Sequence, residues 1–125
     1  MPKPIVALIK GDSRYQNIRQ ALEMLEKQIK ADLKKHLQNR KSYILIKPNF
    51  VTTRHQLAAT HVDAVRAVLD FLQPIWKGRI IIGEGAGIGH TNEGFKNYGY
   101  LPLKSSYPNV ELLDLNQDDG VDAQG

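Results

Sequence analysis

The sequence predicts an α/β domain: a small doubly wound, Rossmann-like sheet of four mostly parallel strands in three layers, in the order β-α-β-α-β-α-β. Three observations lead there. The apolar runs "PIVALI", "YILI", "RIII" and "VELLDL" are continuous, not alternating, as expected of strands buried on both faces. Between them lie stretches whose apolar residues recur at three- and four-residue steps. The loops that follow the runs are polar or glycine-rich, whereas those that enter them are basic or marked by proline.

The first strand is expected at Pro4 to Ile9 and is broken by "KGDS". Ser13 with Gln16 three residues on reads as a capping box. From there Ile18, Leu22, Leu25, Ile29, Leu33 and Leu37 predict one amphipathic helix running to about Asn39. Tyr43 to Ile46 is the second strand, stopped by Pro48, which cannot donate to a ladder. Thr60 and Asp63 read as a variant capping box for a helix carrying Val62, Val65, Val68, Leu69 and Leu72, ended before Pro74. Arg79 to Ile82 is the third strand; a short helix is expected over Thr91 to Asn97 with Gly99 as its stop. Val110 to Leu115 is the fourth strand. Residues 1–115 are thus expected to form a single domain, and the polar, acidic residues 116–125 a flexible tail.

Composition narrows the chemistry. With no cysteine there is no disulfide, no thiol nucleophile and no cysteine-held zinc, and no iron–sulfur cluster is expected. "PIVALI" is too short for the apolar core of an export signal, and no stretch approaches the ~20 apolar residues of a membrane span, so a soluble cytoplasmic protein is expected. The net charge of +4 is uneven: residues 1–54 hold 12 Lys/Arg against 4 Asp/Glu, and the remainder 5 against 9. The lysines of "KQIKADLKKHLQNRK" lie opposite its Ile and Leu positions without interleaved aromatics, which favours a solvated helix face over a nucleic-acid surface.

Ligands of open parallel sheets bind beyond the carboxyl ends of the strands, and that rule gathers "KGDS", "KPNFVTTRH", "GEGAGIGHTN" and "NQDD" on one rim. Lys47 can supply an ammonium there, Asn49 an amide and Arg54 a guanidinium, with Thr60 at the entry to a helix. Gly83, Gly85, Gly87 and Gly89 lead from a strand into a helix, the arrangement in which backbone N–H groups hold an anion. The spacing fits neither the dinucleotide fingerprint nor the P-loop, and a merely flexible turn is the plainer alternative. His61, in the first turn of a helix where the dipole disfavours protonation, and Glu84 are the candidate catalytic groups. His55, His61, His90 and Glu84 share the rim but lack the tight spacing of a metal site, and no metal is expected.

"ILIKPNFV", "ATHVDAVRAVLDFL", "RIIIGEGAGIG" and "GFKNYGY" followed by "VELLDLN" together resemble the domain-of-unknown-function family numbered 362, from Ile5 to about Asn116. The resemblance implies an α/β fold and treats Lys47, Asn49, Thr60 and His61 as one shared surface, with no settled reaction. Many members are longer and some carry ferredoxin-like cysteine clusters, which implies that this chain corresponds to an N-terminal portion. A more distant similarity is to the N-terminal lobe of nickel-dependent lactate-racemase-like proteins, from which no residue is carried over. The leading expectation is a lobe that binds an anionic small molecule at the carboxyl edge. The alternative is a non-catalytic module that forms a homodimer, or docks a partner or a missing C-terminal half, through its open sheet.

Overall fold

The computed structural model describes residues 3–39 and 41–117. Helices α1 (Arg14–Met24) and α2 (Glu26–His36) precede β1 (Ile44–Ile46). Then come α3 (Val62–Leu72), β2 (Ile80–Glu84), α4 (Thr91–Asn97), α5 (Leu103–Ser106) and β3 (Val110–Asp114). Short 3-10 turns occupy Gln56–Ala58 and Leu115–Gln117.

The strands form one parallel sheet in the order β1-β2-β3. Its register places Ile44, Ile80 and Val110 in one row and Ile46, Ile82 and Leu112 in another. These rows point the same way, because alternate strand residues share a face, and they meet Val65, Leu69 and Leu72 of α3, Phe95 of α4 and Leu103 of α5 in a single core. Leu22, Ile29 and Leu33 of the first two helices pack against that same core. Parallel strands joined in sequence order need a crossover between each pair, and α3, α4 and α5 supply these against that one core.

The expected sheet is therefore corrected in two ways. It has three strands among the described residues, and the described helices pack on one face, leaving Leu45 and Leu113 on the other half exposed. Pro4 to Ile9 is not a strand. The Asn17 side chain grips the Gly11 carbonyl at 2.9 Å and Ser13 caps α1, which turns the chain directly into the helix. Lys3, Pro4 and Ile5 share a hollow with Gln28, Ala31 and Asp32 of α2. Ile5, Val6 and Leu8 stand exposed.

Local signals fared better. Ser13 Oγ accepts from the Gln16 amide at 3.2 Å. The predicted long helix is two pieces, because Leu25 leaves helical geometry (φ −106, ψ 8) and its N–H reverts to the Leu22 carbonyl. The second piece ends at His36, short of Asn39. α4 spans Thr91–Asn97 as predicted, and Gly99 closes it at φ 78, with the Tyr100 amide reaching back to Phe95. α3 ends at Leu72, ahead of Pro74. β2 starts one residue later than predicted and runs on through Gly83 and Glu84. β3 stops at Asp114, and Asn116 and Gln117, expected in the tail, belong to a 3-10 turn; the rest of that tail lies outside the described residues. No helix among the described residues is long and apolar enough to cross a membrane.

Candidate functional site

The carboxyl edge of the sheet is organised by one buried carboxylate. Glu84, 1% exposed at the end of β2, accepts from Lys47 Nζ at 2.5 Å and from the Gly85 amide at 3.0 Å through Oε1, and from the Phe50 amide through Oε2. An ammonium and two N–H donors offset the cost of removing that charge from water. The pairing ties the loop leaving β1 to the loop leaving β2. Lys47, its side chain 55% exposed, also donates to the Pro48 carbonyl at 3.3 Å.

The loop from Lys47 to His61 folds back on itself. Asn49 N–H donates to Thr60 Oγ1 and Thr60 N–H to the Asn49 carbonyl, both at 2.8 Å, while Val51 N–H reaches Ala58 at 3.0 Å. This narrow hairpin drives Phe50 into the core, where its ring meets Phe95, Tyr98 and Tyr100 edge-on with centroids 5.6, 5.0 and 5.2 Å away. The tyrosine hydroxyls tie the loop down: Tyr100 donates to the Thr60 carbonyl at 2.8 Å and Tyr98 to the Thr52 carbonyl. Burial first, then the neighbouring Glu84 charge, pushes the Tyr100 hydroxyl above the usual tyrosine range, so it stays a neutral donor.

Thr60 is consequently not the helix cap that its spacing to Asp63 predicts, because its hydroxyl is spent on Asn49. His61 takes that position, with Nδ1 accepting from the Asp63 amide at 3.0 Å. No hydrogen bond links His61 to Glu84. Arg54 points outward to Glu93 at 3.2 Å.

The glycine loop is packed. Gly87 and Ile88 donate to the Phe50 and Val51 carbonyls at 3.0 Å, Ala86 donates to Thr91 Oγ1 at 3.0 Å, and Gly85 serves Glu84. The four amides from Gly85 to Ile88 thus have protein acceptors. A Cβ on Gly87 would lie 2.8 Å from the Val51 carbonyl oxygen, and Gly89 adopts φ 95 against Thr53, so these glycines serve close loop-to-loop contact. Gly83 lies inside β2, under Leu45 and Leu115. Asn116, from the turn after β3, donates to the Ala86 carbonyl at 3.1 Å and adds the third strand's exit to the assembly.

Lys47 and Thr60 are nevertheless brought together. With Ile18, Ile46, Ala64 and Val68 they line a hollow of about 200 Å³ between α1 and α3. His55, His61 and His90 each precede a helical turn as its cap, and among the described residues no three His, Cys, Asp or Glu side chains gather as metal ligands. Sequence reasoning missed Phe50, Tyr98, Tyr100 and Asn116. The two tyrosines flanking Gly99 were the available signal, since a glycine stop turns the residues on either side of it back toward the core.

Comparison with curated proteins and with solved structures found no match. A family model does match, over residues 44–125, a stretch that starts at β1 and takes in every loop of this edge. It covers more than half of the sequence, and its description is "Domain of unknown function (DUF362)". The chain, with its Lys47–Glu84 pair and its aromatic-anchored loop, belongs to that family.

Proposed function

We propose that this domain is a docking module that closes the bare face of its sheet against a second copy of the chain. The observation that carries the reading is that face. Parallel sheets are ordinarily covered on both sides, yet here the edge-strand residues Leu45 and Leu113 remain 49% and 40% exposed on either side of the buried Ile81 and Gly83. At one end of the face Arg79 lies over the Tyr43 ring, 5.7 Å from its centroid, and meets Glu111 at 2.7 Å. An apolar centre with a charge-compensated rim suits association, and a two-fold pairing would use the same patch twice.

Sedimentation velocity across a concentration series tests this. The native chain is expected to pass from monomer to dimer as concentration rises, and Leu45→Lys with Leu113→Lys to remain monomeric. A native chain that stays monomeric throughout would remove the reading.

A second reading keeps an anionic small molecule at the carboxyl edge, with the chain as the N-terminal lobe of an enzyme-like protein. Its support is the hollow beside Lys47 and Thr60, because the Lys47 side chain, although paired, is half exposed. In that reading Lys47 neutralises the ligand, Asn49 flanks it, and His61 or Glu84 moves a proton, while Arg54, turned outward to Glu93, takes no part. The internal bonding of the Gly85–Ile88 amides weighs against it. Calorimetric titration with phosphate and small carboxylates decides: heat lost in Lys47→Ala supports it, and no heat with the native chain removes it.

A further inference from the structure

We propose that the cleft between α2 and the turn after α3 binds a small amphiphilic anion, an apolar or aromatic body carrying a carboxylate. The cleft holds about 410 Å³ and is lined by Lys30, Leu33, Lys34 and Leu37 of the α2 side and by Pro74, Ile75 and Trp76 opposite. It lies at the amino edge of the sheet, since Trp76 precedes β2 by four residues, and so is separate from both the carboxyl-edge loops and the bare face.

Two features make it a shaped site. Trp76 is fixed: its indole N–H donates to the Arg79 carbonyl at 3.1 Å, and the ring lies where any side chain on Gly78 would have to be. A wall already held in place costs little ordering on binding. The charges are one-sided as well. Lys30 and Lys34 stand one helical turn apart on the rim, and no carboxylate among the described residues lines the cleft. Lys30 has a loose partner in Glu26 at 3.7 Å, whereas Lys34 has no ion pair among the described residues.

This pairing of features selects the ligand. An inorganic anion would leave the leucine, isoleucine and indole floor in water, and a neutral apolar molecule would leave two ammonium groups unmatched. A ligand with both parts satisfies both, and the volume falls within the range of small-molecule pockets.

The chain contains one tryptophan, so emission from Trp76 reports on the cleft directly. The test titrates the folded chain with decanoate below its micelle threshold, with decanol and acetate as controls. Decanoate is expected to shift the emission saturably, with decanol and acetate far weaker. Lys30→Glu with Lys34→Glu should weaken the decanoate response at least about tenfold, the equivalent of one lost charge-assisted contact. Amide chemical shifts provide a second readout that needs no variant, with changes expected at Leu33, Leu37, Ile75 and Trp76. No saturable shift, equal binding of decanol, an undiminished response in a folded double variant, or shifts centred on Leu45 and Leu113 would each overturn the proposal. So would a stronger, steeply salt-dependent response to a single-stranded oligonucleotide, which would assign the cleft to nucleic acid.

Discussion

The two faces of this sheet are built from the same three strands and have opposite fates. Residues at even positions of β1 and β2, Ile44, Ile46, Ile80 and Ile82, face a core of helices and aromatic rings. Their odd-numbered neighbours face the side that carries no helix among the described residues, where Ile81 is buried at the centre and Leu45 and Leu113 stand half exposed beside it. Composition separates the faces only in part, since Leu45, Ile81 and Leu113 are as aliphatic as the covered rows while Gly83 and Glu111 interrupt them. Connectivity contributes the rest: in strands laid down in order, the crossovers through α3 and through α4 and α5 pack against the same core. An apolar face can thus be left without cover by topology, and its stability then depends on what meets it.

The sharpest way to break the covered face is Phe50→Ala. Phe50 is enclosed by three aromatic rings, and its backbone amide serves Glu84. Deleting such a ring costs about 4 kcal/mol through lost burial and the cavity left behind. It should also loosen the hairpin that holds Thr60, so urea denaturation should show a large drop in midpoint. A loss below about 1 kcal/mol would mean that the hairpin is not part of the cooperative core.

The covered face also has a polar clamp, which sets the next effect in size. Tyr15 of α1 and Tyr107, ahead of β3, both donate to the Asp70 carboxylate on α3, the latter at 2.5 Å. Burial, followed by the bond to Asp70 and its charge, pushes the Tyr107 hydroxyl up to about 12. An unfolded tyrosine titrates near 10. The folded value is the higher one, so the clamp's contribution is whole below pH 10 and is lost as pH rises toward 12. The melting temperature should fall across that window. Tyr107→Phe should cost about 1.5 kcal/mol at neutral pH, the worth of a hydrogen bond to a charged group, and should blunt the alkaline fall. Identical alkaline slopes for the variant and the native chain would show that Tyr107 is not the group responsible.

What could be read ahead of the structure follows the range of the interactions involved. The fourth helix was legible because its Gly99 stop lies two residues past its last turn, a wholly local signal. The position of Lys47 and Asn49 just past β1 was also legible, since strand end, proline and polar cluster are adjacent in sequence. Glu84's role was not, because it depends on partners 34 and 37 positions away. Pro4 to Ile9 has the composition of a buried strand, and composition cannot report whether an edge is within reach. The exchange of Thr60 for His61 as helix cap has the same origin: the threonine hydroxyl was claimed by Asn49, eleven residues earlier.

The bare face should give the smallest effect, and how that effect depends on concentration makes it informative. Leu45 already has about half of its surface in water, so Leu45→Ala in the monomer forfeits little burial and should cost under about 1 kcal/mol at the area coefficient for apolar surface. If two copies close over this face, the same substitution also removes contacts made only in the dimer. Its cost should then grow with protein concentration, because association adds stability by mass action. Denaturation curves of the native chain and of Leu45→Ala, each at a dilute and a hundredfold higher concentration, separate the cases. A gap between the two proteins that widens with concentration ties the leucine to self-association. A gap equally small at both would leave the leucine a bystander and would count against self-docking through this face.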